Sequence, residues 1–105
     1  MAADSFTLAA GEPFDGVHNT LTSTTADTIT ITCTGESYRV EVFNRSTTQA
    51  LWVELTDTAV AAADGTLYVP TSSSVAWRMG PGVSVVSVVG NANDYSVHAV
   101  PQSAW

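Results

Sequence analysis

Side chains alternate with a period of two along most of this chain. In Thr28-Ile29-Thr30-Ile31-Thr32-Cys33, hydroxyl and apolar residues take turns, which puts Ile29, Ile31 and Cys33 on one face of a strand. Tyr38-Arg39-Val40-Glu41-Val42-Phe43-Asn44 repeats the device, with Tyr38, Val40 and Val42 inward, Arg39 and Glu41 outward and Phe43 on the outer side. The short link Thr34-Gly35-Glu36-Ser37 predicts a hairpin between these two runs. Leu51, Val53 and Leu55 mark the core face of the next run, with Trp52 and Glu54 on the other. Asp57 to Gly65 contains an alanine-rich stretch too short to stand as a helix and reads as a loop closed by an Asp64-Gly65 turn.

Beyond that loop, Thr66 to Val69 forms a short strand stopped by Pro70, and Val75, Trp77 and Met79 point inward from another. Gly80-Pro81-Gly82 is a turn. Val83 to Val89 alternates until Val85-Val86 and then shifts phase, which marks either a bulge or a strand covered on both faces. A turn over Gly90 to Asp94 leads into the last strand, Tyr95 to Val100, ended by Pro101. Seven to eight short strands with regularly spaced turns and no convincing helix predict an all-β fold, an antiparallel β-sandwich or small barrel. Nothing in the pattern offers a parallel crossover. Residues 1–27 are weakly periodic and read as an extended N-terminal arm with a possible first strand. Residues 28–100 form the sandwich domain, and 101–105 a C-terminal tail.

The length of 105 residues allows one domain with a modest core of its own. Charged residues make up 12% of the chain against ~25% in ordinary soluble domains, so the polar surface is chiefly hydroxyl. There is no lysine, and three arginines stand against ten acids, for a net charge of −7. Arg39, Arg45 and Arg78 are too few and too scattered to neutralise phosphates, which excludes nucleic acid and anionic membranes as expected partners. No apolar run approaches the length of a spanning helix. The first residues, Met1 to Ser5, lack the basic start of a signal peptide, so the chain is expected to stay where it is made unless it leaves as part of a particle.

Candidate chemistry is sparse. His18, His98 and Cys33 lie far apart without a paired motif, so no metal or cofactor is expected. Cys33, on the apolar face of an alternating strand, reads as a small buried hydrophobe rather than a reactive thiol. No Gly-x-Ser-x-Gly elbow is present, Glu41 and Glu54 sit on solvent sides, and Asp57 with Asp64 lacks the ligand density of a calcium loop. Asn44-Arg45-Ser46 matches a glycosylation sequon, which has no meaning without a secretory route. His98 is expected to point outward, and His18 to lie in the arm. No enzyme is expected.

The segments Val40-Glu41-Val42-Phe43-Asn44-Arg45, Leu51-Trp52-Val53, Asp64-Gly65, Tyr68-Val69-Pro70, Val83 to Val89 and Tyr95-Ser96-Val97 together resemble small β-sandwich virion proteins of tailed bacteriophages, of the capsid decoration (cement) type. The resemblance spans Tyr38 to Val100. It implies a non-enzymatic structural role on the outside of a phage capsid, after synthesis in the host cytoplasm. The implied partners are the major capsid protein or other virion proteins, with a homo-oligomer such as a trimer possible. A net negative surface suits the shell's exterior, since it repels packaged genome and keeps particles apart.

The expected contact residues are aromatic, as interface anchors commonly are. Phe6, Phe14 and Trp105 are candidates on the terminal segments, with Phe43 and Trp52 as a second outward patch. Each has a plain alternative: Phe6 and Phe14 under the sheet edge, Trp105 folded back on its own sandwich, Trp52 and Phe43 beneath the arm. Two rival functions remain: a phage tail or neck component, and a carbohydrate-binding module using Trp52, Tyr68 and Trp77. Alternation with Val75 and Met79 places Trp77 in the core instead.

Overall fold

A computed structural model of the protein describes residues 3–8, 14–22, 24–33, 35–55 and 66–104. Nine strands run through them: β1 (Ala3–Leu8), β2 (Asp15–Thr20), β3 (Asp27–Cys33), β4 (Tyr38–Asn44), β5 (Leu51–Glu54), β6 (Leu67–Val69), β7 (Ser74–Met79), β8 (Gly82–Val89) and β9 (Asp94–Pro101). One 3-10 turn, Gln102–Ala104, follows. The strands form a five-stranded sheet, β1-β3-β8-β5-β6, and a four-stranded sheet, β2-β9-β4-β7. The protein is a β-sandwich, with nine strands where the sequence pattern suggested seven to eight.

Faces follow the alternation closely. Ile29, Ile31, Leu51, Val53, Val69, Val86 and Val88 of the larger sheet meet Tyr38, Val40, Val42, Tyr95, Val97 and Ala99 of the smaller one in a single buried core. Cys33 belongs to it, and burial pushes its thiol pKa up, with Glu36 adding to the rise. Val75, Trp77 and Met79 pack against the core from the edge strand β7. The phase shift in β8 resolves as a strand covered on both faces, since Val86 to Val89 are all buried.

Pairing departs from the sequence expectation in two places. β3 and β4 do not form a hairpin: β3 pairs with β1 and β8, and β4 with β7 and β9. The link between them crosses from one sheet to the other, helped by Gly35 at φ +89°, so that the apolar faces of β3 and β4 oppose each other across the core. Residues 1–27, read as an arm, contribute one strand to each sheet. β1 lies parallel to β3, with Phe6 opposite Ile31 and Leu8 opposite Cys33. The parallel pair has a simple cause. The chain leaves the five-stranded sheet, runs back along the other as β2, and re-enters beside β1 in its original direction.

This traffic sets the architecture. In chain order the strands alternate between sheets except at β5 and β6, which are neighbours in one sheet. Most described connections therefore cross an open end of the sandwich, where their backbone polar groups need partners.

Candidate functional site

The end reached by the last residues of β4 and β8 and the first of β3 and β9 is braced by buried polar side chains. Asn44, buried, donates from Nδ2 to the carbonyls of Gln49 at 2.9 Å, Pro70 at 3.1 Å and Val69 at 3.3 Å. Its Oδ1 accepts from the Ser46 amide and from Asn93 Nδ2. Asn93, also buried, donates to Gln49 and Ala50 carbonyls and accepts the Asn91 amide. Two carboxamides thus tie three crossing segments together. The sequon asparagine is committed to this network, which leaves it no room for a glycan. Nearby, the Tyr95 hydroxyl donates to Asp27 Oδ2 at 2.8 Å, and burial followed by that bond pushes the phenol pKa far up.

The two outward faces differ in chemistry. On the five-stranded sheet, register places Ser5 beside Thr30 and Thr7 beside Thr32, with Val85 and Val83 on the far side of those threonines. Val83 is 66% exposed and Val85 37%. Toward the braced end, Trp52 packs on Val89 and Ala26, and its ring meets Tyr68 edge-on with centroids 4.9 Å apart. Glu54 is the sole charged side chain on this face among the described residues.

The outward face of the four-stranded sheet gathers the ionisable groups. His18 of β2 and His98 of β9 meet edge-to-face at 5.1 Å, Phe43 of β4 lies 5.2 Å from His98, and His18 Nδ1 is 2.6 Å from Ser96 Oγ. Gly16, directly opposite His98, leaves room for the imidazole: a Cβ there would come within 2.5 Å of its Cδ2. Partial burial, and then the neighbouring His18, lower the His98 pKa against a smaller opposing pull from Glu41. Arg39 pairs with Glu41 at 2.9 Å and lies opposite Arg78 in register. All three arginines and both histidines lie on this face or directly follow it.

The anticipated contact residues fall in separate places. Phe6 is half-buried against the core, the plain alternative to an anchor. Phe14, just before β2, is 63% exposed. Phe43 and Trp52, expected to share a patch, lie on outward faces of different sheets, because the β4–β5 connection changes sheet. Trp52 touches Ala26, so the end of the N-terminal segment does reach it. Trp105, Asp57 and Asp64 lie outside the described residues. Sequence reasoning did not foresee the His18–His98–Phe43 cluster, since the β2–β9 pairing that builds it links residues far apart in sequence. Among the described residues, no group of three or more His, Cys, Asp or Glu could hold a metal ion.

No protein-family model matches this sequence, and no curated protein is similar to it in sequence. Solved structures share its fold. PliG of Aeromonas hydrophila, a periplasmic lysozyme inhibitor of g-type lysozyme, superposes with a TM-score of 0.63 at 11% identity, covering 96% of each chain. PliG of Salmonella Typhimurium gives 0.54 at 9% identity, over 97% of this chain and 99% of that one. At such identities the likeness concerns the sandwich itself.

Proposed function

We propose that this protein is a non-enzymatic adhesive module, a capsid decoration protein that binds the outer shell of a phage particle through the outward face of its five-stranded sheet. One observation carries the reading: on a chain of net charge −7, that face is nearly free of charge and presents threonines, serines, exposed Val83 and Val85 and the Trp52–Tyr68 pair. Charge depletion and aromatic enrichment are the composition of a protein interface core. A fold shared with a lysozyme inhibitor is compatible with that role. Binding across subunit boundaries would stabilise the assembled shell by mass action.

The test is occupancy. Purified particles of the phage that encodes this chain should contain it in hundreds of copies by quantitative mass spectrometry, and the purified protein should co-sediment with particles lacking it. Val83→Glu, a change at an exposed position, should abolish that co-sedimentation while leaving the melting curve in place. Absence from particles, or unchanged binding of Val83→Glu, defeats the proposal. A few copies per particle would favour a tail or neck component. The exposed Tyr68 ring beside the half-buried Trp52 also supports a carbohydrate-binding reading, which saturable glycan binding lost in Trp52→Ala would favour.

A further inference from the structure

Beside the braced end, on the side of the four-stranded sheet, an open cleft of about 370 Å³ is lined by Phe43, Asn44, Arg45, Ser72, Ser73 and Ser74. Its volume falls within the range of small-molecule sites. The walls are firmly placed. The Asn44 amide donates to the Ser73 carbonyl at 2.9 Å, and the Ser72 amide to Ser46 at 3.0 Å. Ser72 takes the left-handed conformation of a turn at φ +54°, as Ala92 does at φ +56° in the turn before β9.

The chemistry of the lining is specific. Arg45 is exposed, and its guanidinium donates from Nη2 to the Tyr95 carbonyl at 3.3 Å. Among the described residues no carboxylate pairs with it, although the chain has ten acids and only three arginines. A planar fork with unspent donors matches a carboxylate in two-point contact. Ser72 and Ser74 supply hydroxyls that both donate and accept, which suits a ligand whose own groups do the same, while the Ser73 hydroxyl donates to the Thr71 carbonyl at 3.2 Å. The Phe43 ring adds an apolar surface.

We propose that this cleft binds a carboxylated sugar residue of the uronic acid type, its carboxylate on Arg45, its hydroxyls on Ser72 and Ser74, and its ring against Phe43. The chain's negative charge opposes anions in general, so Arg45 decides where one can settle. The site stands apart from the Trp52–Tyr68 face and does not depend on the shell-binding reading.

The test is a titration of the ¹⁵N-labelled protein with glucuronate and galacturonate, with glucose and acetate in parallel. The expected result is saturable amide shifts confined to residues 43–46 and 72–74, with a dissociation constant of about 1 mM or tighter for a uronate. Glucose and acetate should each bind far more weakly. Arg45→Gln should weaken uronate binding roughly 10- to 100-fold, the loss expected when a hydrogen-bonded charge pair is removed. The wild-type shift map does not depend on how that variant folds. Absence of saturation, shifts mapping elsewhere, equal binding of glucose or acetate, or an undiminished response in a folded Arg45→Gln protein would each overturn the proposal.

Discussion

The two ends of the sandwich solve one problem by different means. At the braced end, Asn44 and Asn93 reach into the space between crossing segments and satisfy six of their backbone carbonyls or amides. The opposite end, where β3 passes into β4 and β7 into β8, relies on lighter contacts. The Tyr38 hydroxyl bonds to Ser84 Oγ, the Cys33 thiol lies 3.7 Å from the Glu36 carbonyl, and the Ser103 amide donates to Glu36 at 2.7 Å. All the buried polar side chains, Asp27, Asn44, Ser87, Asn93 and Ser96, belong to the braced half among the described residues. The difference teaches where this fold can tolerate change. A buried carboxamide that serves several backbone groups is costly to remove, whereas a side chain that makes one hydrogen bond costs less.

The largest effect should follow from Asn44→Ala, which strands the groups it now serves. We expect a loss of about 3 kcal/mol in urea unfolding, with the slope of the transition unchanged. Gly90→Ala should come next, at roughly 2 kcal/mol, because the added methyl would stand 2.4 Å from Asn93 Oδ1 and 3.1 Å from the Ala50 carbonyl and so displace the second asparagine. If Asn44→Ala and Gly90→Ala together cost no more than the larger alone, the two act through one network. Ser84→Ala, at the lighter end, should cost about 1 kcal/mol, the low end of the cost of leaving one hydroxyl, that of the buried Tyr38, without its partner. A Ser84→Ala loss equal to that of Asn44→Ala would erase the distinction between the ends.

The smallest effect concerns pH. With its folded pKa lowered, His98 binds a proton more readily in the unfolded chain, so its contribution to stability is present above the unfolded value near 6.5 and is lost as pH falls below it. An NMR titration of the His98 ring should show a midpoint below 6.5, and removing the neighbour with His18→Gln should raise it. A midpoint unchanged in that variant would leave burial as the whole cause.

Much of the molecule was legible one strand at a time. The faces of β3, β4 and β5 could be read from alternation, because a strand's inward residues report only that something apolar lies opposite. What lies opposite was not legible. A short link containing glycine serves a hairpin and a crossing between sheets equally well, and between β3 and β4 the chain crosses. The same gap hid the candidate surfaces. Phe43 and Trp52 both read as outward aromatics, yet outward has two meanings in a sandwich. The histidine cluster needs the β2–β9 pairing, and the cleft needs the segment after Pro70 folded back upon Arg45. Asn44 matched the acceptor of a sequon, and although its parity with Tyr38, Val40 and Val42 puts it on the inward side, nothing local names the segments it braces.

The parallel placement of β1 beside β3 has a mechanical meaning. The first strand is stitched to its neighbour only after the chain has visited the opposite layer, so no early stretch forms a self-sufficient piece, and almost every stabilising contact joins distant parts of the sequence. Such a molecule should assemble slowly and in one concerted step. Trimming the first eight residues would unclasp a whole margin of the larger layer instead of merely shortening a loose end.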